Sequence, residues 1–336
     1  MGKGVFFIVL ILFMGCTPKQ KAYDNRAIGE AFGTSYSIIY LADRELDFQT
    51  AFDSVFNAVN QSMSTYWPNS DISKINQGDS TVVVDAMFQE VFTVSADIFK
   101  KTKGYFDPTV GTLVNAWGFG PGTRMELDST RVDSLMQFVG FEKVRLKHDN
   151  TIDKRYPTVY FDFNAVAKGY AVDRLALVLD QKGLTDYLIE VGGELRARGT
   201  NLRKRKKWLV GIDDPQAPDE LDRKKLITLG DRALASSGNY RKYRVDPTTG
   251  RKYVHTIDPK TGYTKNSSTL SVTVLANTCA EADAYATAFM AMPLNMAQEI
   301  LMDEMDLEGY VVYLDDKGHT QEFMTPGFKA TVLNAQ

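Results

Sequence analysis

The sequence predicts an α/β or α+β globule built as one folded unit, and three observations lead there. Strand-like and helix-like runs are interspersed along the 336 residues, so neither an all-helical nor an all-β domain fits. The C-terminal third reads as antiparallel, with strand-like runs at 269–275, 309–314 and 319–323. No Pro/Gly/Ser-rich linker, low-complexity tract or repeat follows residue 28, so nothing marks a second domain. Composition is that of a soluble globular chain, 44% hydrophobic and 24% charged, and it is long enough to enclose a sizeable core.

In chain order, Met1-Gly2-Lys3 is a short positive stretch, and residues 5–14 are an unbroken apolar run of signal-peptide length. The run stops at Gly15-Cys16 and polar residues follow, a pattern that resembles a bacterial lipoprotein signal. On that reading residues 1–15 are removed, Cys16 becomes the lipidated first residue, and 16–28 form a tether. A plain secretory signal or a membrane-anchoring stub is the alternative, and every version exports the protein. With Cys16 lipidated only Cys279 remains, so no internal disulfide is possible.

Further strand-like runs occur at 34–40, 143–146, 158–161, 187–191, 208–212 and 226–229, most of them rich in β-branched and aromatic residues. Helical periodicity marks 48–63, with Phe52, Val55, Phe56, Val59 and Met63 on one stripe, and 86–103 between Asp85 and Gly104. A third helix is expected over 165–182, capped by Asn164 and ended by Gly183. The fourth, 279–291, opens on a capping box formed by Thr278 and Glu281. A formal net charge of −3 gives no electrostatic reason to expect nucleic acid, and the basic run 203–207 reads as a solvated hairpin turn.

The run 162–173 carries the most chemistry. An apolar strand ends in Asp162, and a helix with Lys168 and Gly169 in its opening turns follows. A carboxylate beside unpaired helix N–H groups can hold a metal and a phosphate together. On the last helix Asp283 and Thr287 lie one turn apart on one face, hard oxygen donors that suit Mg²⁺; a first-turn dipole residue with a packed threonine is the other reading. Three histidines and one remaining cysteine cannot build a zinc cluster. Glycine-bearing turns at Glu190-Val191-Gly192-Gly193-Glu194 and Ser236-Ser237-Gly238 let a backbone approach an anion or ligand, and none of them matches a nucleotide-loop fingerprint. His255 is either a general base or a structural histidine. Tyr66 could stack on a flat ring system, whereas Trp117 and Phe119 fit core packing equally well.

Taken in order, these segments resemble the ApbE family of flavin transferases. The carrying motifs are Gly33-Thr34-x-Tyr36, Met63-Ser64-Thr65-Tyr66, Tyr105-Phe106-Asp107-Pro108-Thr109-Val110-Gly111 and Asn115-Ala116-Trp117-Gly118-Phe119, then Asp162-Phe163-Asn164-Ala165-Val166-Ala167-Lys168-Gly169, Glu190-Val191-Gly192-Gly193-Glu194, Ser236-Ser237-Gly238, His255-Thr256-Ile257-Asp258-Pro259 and Ala282-Asp283-Ala284. The resemblance implies one T-fold-related unit over 29–336, with mixed sheets and helices packed on them. It implies transfer of FMN from FAD to a threonine hydroxyl of a target flavoprotein, with AMP released and Mg²⁺ required. It places Phe32, Tyr66, Tyr105, Phe106, Asp107, Asp162, Lys168, Ser237, Gly238 and Ile257 around FAD. It assigns Ala165 (by its carbonyl), Asp283 and Thr287 to the metal, and leaves His255 or a nearby carboxylate to take the threonine proton. Two positions depart from the pattern: Phe32 stands where many members have Met, and Ala286 stands where some have a second Asp. The implied acceptor is a subunit of a membrane redox complex, and a lipid anchor at Cys16 would hold the enzyme on the periplasmic face of the inner membrane beside it. An FAD pyrophosphatase and an exported FAD-binding lipoprotein without turnover are the competing readings.

Overall fold

The chain first turns back on itself at Phe32-Gly33, where φ is positive at both residues (54° and 74°). This is the two-residue turn whose twist matches that of paired strands. It joins β1 (Tyr23–Ala31) to β2 (Thr34–Ala42), which pair residue for residue. The computed structural model describes residues 23–217, 223–239, 243–245, 252–265 and 267–333. Because β1 begins at Tyr23, the fold starts ahead of the boundary expected at residue 29, and part of the expected 16–28 tether is a paired strand. Cys16 and the signal-like run lie outside the described residues.

Helices α1 (Gln49–Met63), α2 (Asp71–Asn76), α3 (Ala86–Lys101), α4 (Gly111–Trp117) and α5 (Ser129–Met136) follow, then the small ribbon β3 (Val144–Leu146) and β4 (Ile152–Lys154). After α6 (Ala167–Gln181) come β5 (Tyr187–Val191), β6 (Glu194–Arg198), β7 (Trp208–Asp213), β8 (Arg223–Leu229) and β9 (Ala233–Gly238). A short pair, β10 (Tyr243–Val245) and β11 (Lys252–Val254), precedes β12 (Thr269–Ala276). The chain closes with α7 (Cys279–Ala291), α8 (Leu294–Asp303), β13 (Glu308–Leu314), β14 (Thr320–Met324) and α9 (Pro326–Lys329).

Eight strands form one sheet in the order β1-β2-β5-β6-β9-β12-β13-β14. Its ladders are antiparallel, which sharpens the expected α/β or α+β class to α+β. On one face Tyr36, Ile38 and Tyr40 of β2 meet Phe52 and Phe56 of α1 and Val172, Leu175 and Leu179 of α6. The β7–β8 hairpin covers the other face with Trp208, Val210, Ile212, Ile227 and Leu229. Each such large side chain, fully buried, stabilises the fold by about 1.5–3 kcal/mol. Helix α7 is buried on all but two of its 13 residues, so it runs through the core rather than along a surface. Its alanines allow close approach to α6, where a Cβ on Gly169 would run into the Cys279 carbonyl.

Two expectations fail here. Residues 158–161 are not a sheet strand; apart from one parallel bridge between Val110 and Tyr160, the segment is held by other groups. Asn76 clamps Phe161, accepting from its N–H at 2.7 Å and donating to its carbonyl at 2.9 Å, and Asp162 N–H donates to the Pro108 carbonyl at 2.7 Å. The alternation that suggested a strand is real, since Val159, Phe161 and Phe163 are fully buried, but a side-chain amide and a loop replace the ladder. The helix also does not start at Asn164. It begins at Ala167 with no side-chain cap, while Asn164 is exposed and its N–H donates to Asp162 Oδ1 at 2.8 Å, an Asx turn that delays the helix.

Candidate active site at the junction of α6 and α7

The two helices exchange aspartates. Asp173 of α6 sits over the start of α7, where its carboxylate accepts from Cys279 N–H and Ala280 N–H, each at 2.9 Å, and pairs with Arg196 of β6. The exposed dipole end of α7 is thereby filled from outside the helix, in addition to the Thr278–Glu281 capping box within it. In the other direction Asp283 of α7 reaches back and accepts from Gly169 N–H of α6 at 3.1 Å.

Asp283 has far less support than Asp173. It is 4% exposed and, among the described residues, Gly169 is its only hydrogen-bond donor. Burial raises its pKa, against the opposing pull of Lys168 and of the Gly169 N–H. Beside it lies Glu194, the first residue of β6, 3% exposed, with Oε1 2.5 Å from Lys168 Nζ and, among the described residues, no hydrogen-bond partner for Oε2. Burial pushes Glu194 up to about 7; Lys168 opposes that shift and Asp283 adds to it. For Lys168 burial acts downward, but Glu194 and Asp283 outweigh it and hold the ammonium above its ordinary value.

The turn before α6 has a matching vacancy in its backbone. An α-helical Gly169 N–H would bond the carbonyl four residues back, that of Ala165; here it goes to Asp283 instead. Among the described residues no donor reaches the Ala165 carbonyl. A carboxylate oxygen, a freed carbonyl and the Thr287 hydroxyl one turn further along α7 are donors of the kind hard cations take. Thr287 Oγ1 is in turn 3.4 Å from Ser237 Oγ, which brings the end of β9 to the same helix face.

The remaining predicted residues divide by environment. Tyr66 is 58% exposed, and burial of its phenolic end together with Asp162 and Tyr160 raises its pKa, so its ring is available beside Asp162. Asp162 is half-buried, and its pKa is raised by burial against the bonds from Asn164. Lys168 is committed to Glu194, although its side chain is still 32% exposed. Gly238 follows Ser237 at the end of β9, and His255 sits half-buried at the bend directly after β11. Phe32 packs edge-on against Phe56 from its left-handed turn position, an uncommon conformation for a bulky residue. Tyr105 lies under the Lys260 ammonium at 5.8 Å. Phe106, Asp107 and Ile257 are buried. Asp107 spends its carboxylate on Thr109, accepting from the N–H at 2.8 Å and the hydroxyl at 2.6 Å, and Ile257 packs with Leu113, Trp117 and Val132. Among the described residues no cluster of three or more His, Cys, Asp or Glu has metal-binding geometry.

With this geometry established, comparison with known proteins assigns the chain to a family. The ApbE family model matches residues 32–311. The chain belongs to the ApbE family. An FAD:protein FMN transferase from Haemophilus influenzae is 32% identical over 328 residues, covering 94% of this chain and 93% of the relative. One from Vibrio cholerae is 36% identical over 292 residues, covering 84% and 85%. The solved structure of the flavin transferase ApbE from Vibrio cholerae aligns with a TM-score of 0.82 at 32% identity, over 93% of this chain and all of that one.

Within this ApbE chain, three residues that organise the junction stood inside the motifs read from the sequence but were given no role of their own there. Glu194 was visible as a charge at a position that pairs with buried Val191, where a strand pattern calls for an apolar residue. Asp173 and Gly169 lay inside the most informative run, but their partners are more than a hundred residues away on α7, and local spacing does not encode them.

Proposed function

We infer that the protein is an FAD:protein FMN transferase that moves FMN from FAD to a threonine hydroxyl of a target flavoprotein, releasing AMP with the help of Mg²⁺. The observation that carries this reading is the undersatisfied oxygen set at the junction: Asp283 with a single donor among the described residues, the Ala165 carbonyl freed by the diverted Gly169 N–H, and Thr287 one turn on. These donors fit Mg²⁺, which when bound supplies charge neutralisation for pyrophosphate oxygens. Phosphoryl transfer needs positioning and charge more than covalent help, and the chain offers both. The Tyr66 ring can lie against the flavin. Lys168 keeps a cation at the phosphate side, and Ser237 and Gly238 present a hydroxyl and backbone to it. The threonine oxygen attacks the FMN phosphorus, the bond to AMP breaks, and His255 takes the threonine proton.

Lipidation of Cys16 would place this chemistry at a membrane surface, with a subunit of a membrane redox complex as the acceptor. Purified protein incubated with FAD and Mg²⁺, with and without a threonine-bearing acceptor, tests the reading through AMP release and in-gel flavin fluorescence. Transfer gives a fluorescent acceptor. AMP without a labelled acceptor would instead identify a pyrophosphatase, and neither product would identify a flavin-storage protein.

A further inference from the structure

Lys168 faces two buried carboxylates and pairs with one. Its ammonium is 2.5 Å from Glu194 Oε1, and among the described residues no other carboxylate comes within ion-pair distance of it. Asp283, the second carboxylate acting on Lys168, takes its one hydrogen bond from Gly169. Both acids are nearly inaccessible, at 3% and 4% exposure, so attraction to the ammonium is strong for either. The fold decides between them. The two-residue Gly192-Gly193 turn is fastened by Gly193 N–H donating to Glu190 Oε1 at 2.8 Å, and the register Val191 opposite Glu194 sends the carboxylate inward. Among the described residues Glu194 Oε2 has no partner, and a buried carboxyl oxygen left unsatisfied is costly to keep for stability alone.

We propose that Glu194 is a positioning residue that holds the Lys168 ammonium off Asp283, so that the Asp283 carboxylate stays available to a divalent cation. The proposal rests on the metal reading given above. Without Glu194, Lys168 swings to Asp283 and competes with the cation for its oxygens. Removing both members of the pair takes away the competitor and restores the site.

The test is titration of Mn²⁺ alone into the full chain, with free Mn²⁺ followed by electron paramagnetic resonance. Glu194→Gln is expected to weaken Mn²⁺ binding by about 10- to 100-fold, the usual effect of losing an outer-shell partner. The double variant Glu194→Gln/Lys168→Met is expected to return to near the parent affinity. Parent-like binding by Glu194→Gln overturns the proposal. A double variant as weak as the single one overturns it too, since Glu194 would then be a ligand or a purely structural group. Should Glu194→Gln fail to fold, the double variant decides alone: near-parent affinity supports the proposal and a loss overturns it. Equal Mn²⁺ binding by the parent and by Asp283→Asn removes the metal reading itself, and this inference with it.

Discussion

Asp173, half-buried, and Asp283, buried, each reach from one of two packed helices to the backbone of the other, and they differ in how fully they are satisfied. Asp173 accepts two backbone N–H groups and pairs with an arginine. Among the described residues Asp283 has one N–H, and its neighbour Glu194 has an oxygen with nothing to bond. A saturated carboxylate holds two helices together. One left short of donors, beside a freed carbonyl and a hydroxyl, has oxygens to spare for the cation proposed above. Open space alone would mislead: a groove of about 730 Å³ opens beside Asp173, yet Glu90, Asp173, Arg174, Asp180 and Arg196 on its wall are all paired.

The sharpest way to break this comparison is Asp173→Ala. It strands Arg196 and two N–H groups, and the expected loss is about 3–5 kcal/mol in urea unfolding; a loss under about 1 kcal/mol would mean that the saturated side is not structural. Gly169→Ala should follow, at about 1–3 kcal/mol, because the added methyl meets the Cys279 backbone and cannot be relieved by a side-chain rotation. The same change moves the N–H that supports Asp283, so AMP release should fall along with the unfolding midpoint.

Asp107→Asn gives the smallest effect and the most specific pH signature. Burial lifts Asp107 from 3.8 to about 6, opposed by the bonds from Thr109. Folding therefore tightens its proton, and its stabilising contribution is complete below the unfolded pKa and is lost as pH rises through the folded one. The asparagine variant never ionises, so its stability relative to the parent should rise between pH 4 and pH 7, read as the difference in urea midpoints. A difference that stays flat across that window would place Asp107 in water.

Local chemistry made much of this legible. The capping box before α7, the stripe of α1 and the Asp85 cap of α3 all stand where their spacing put them. The start of α6 was misread because Asn164 has a good capping side chain, while Asp162, two residues earlier, had already turned the backbone. The 158–161 segment had a strand's alternation but lacked a partner strand, and Asn76 supplied one by side chain. The decisive pairs, Lys168 with Glu194 and Gly169 with Asp283, depend on strand register and on how closely two helices approach, and neither is written in a local pattern.

Asp283 is the residue on which the proposed chemistry depends most. In an assay of AMP release from FAD with Mg²⁺ and a threonine-bearing acceptor, Asp283→Asn should slow turnover by about 100-fold or more, or about 2.7 kcal/mol of transition-state stabilisation. Its unfolding midpoint should not fall, because the neutral amide removes a buried charge whose pKa burial had already raised. Turnover within about threefold of the parent, under 1 kcal/mol, would contradict the assignment of the unsaturated aspartate to the chemistry.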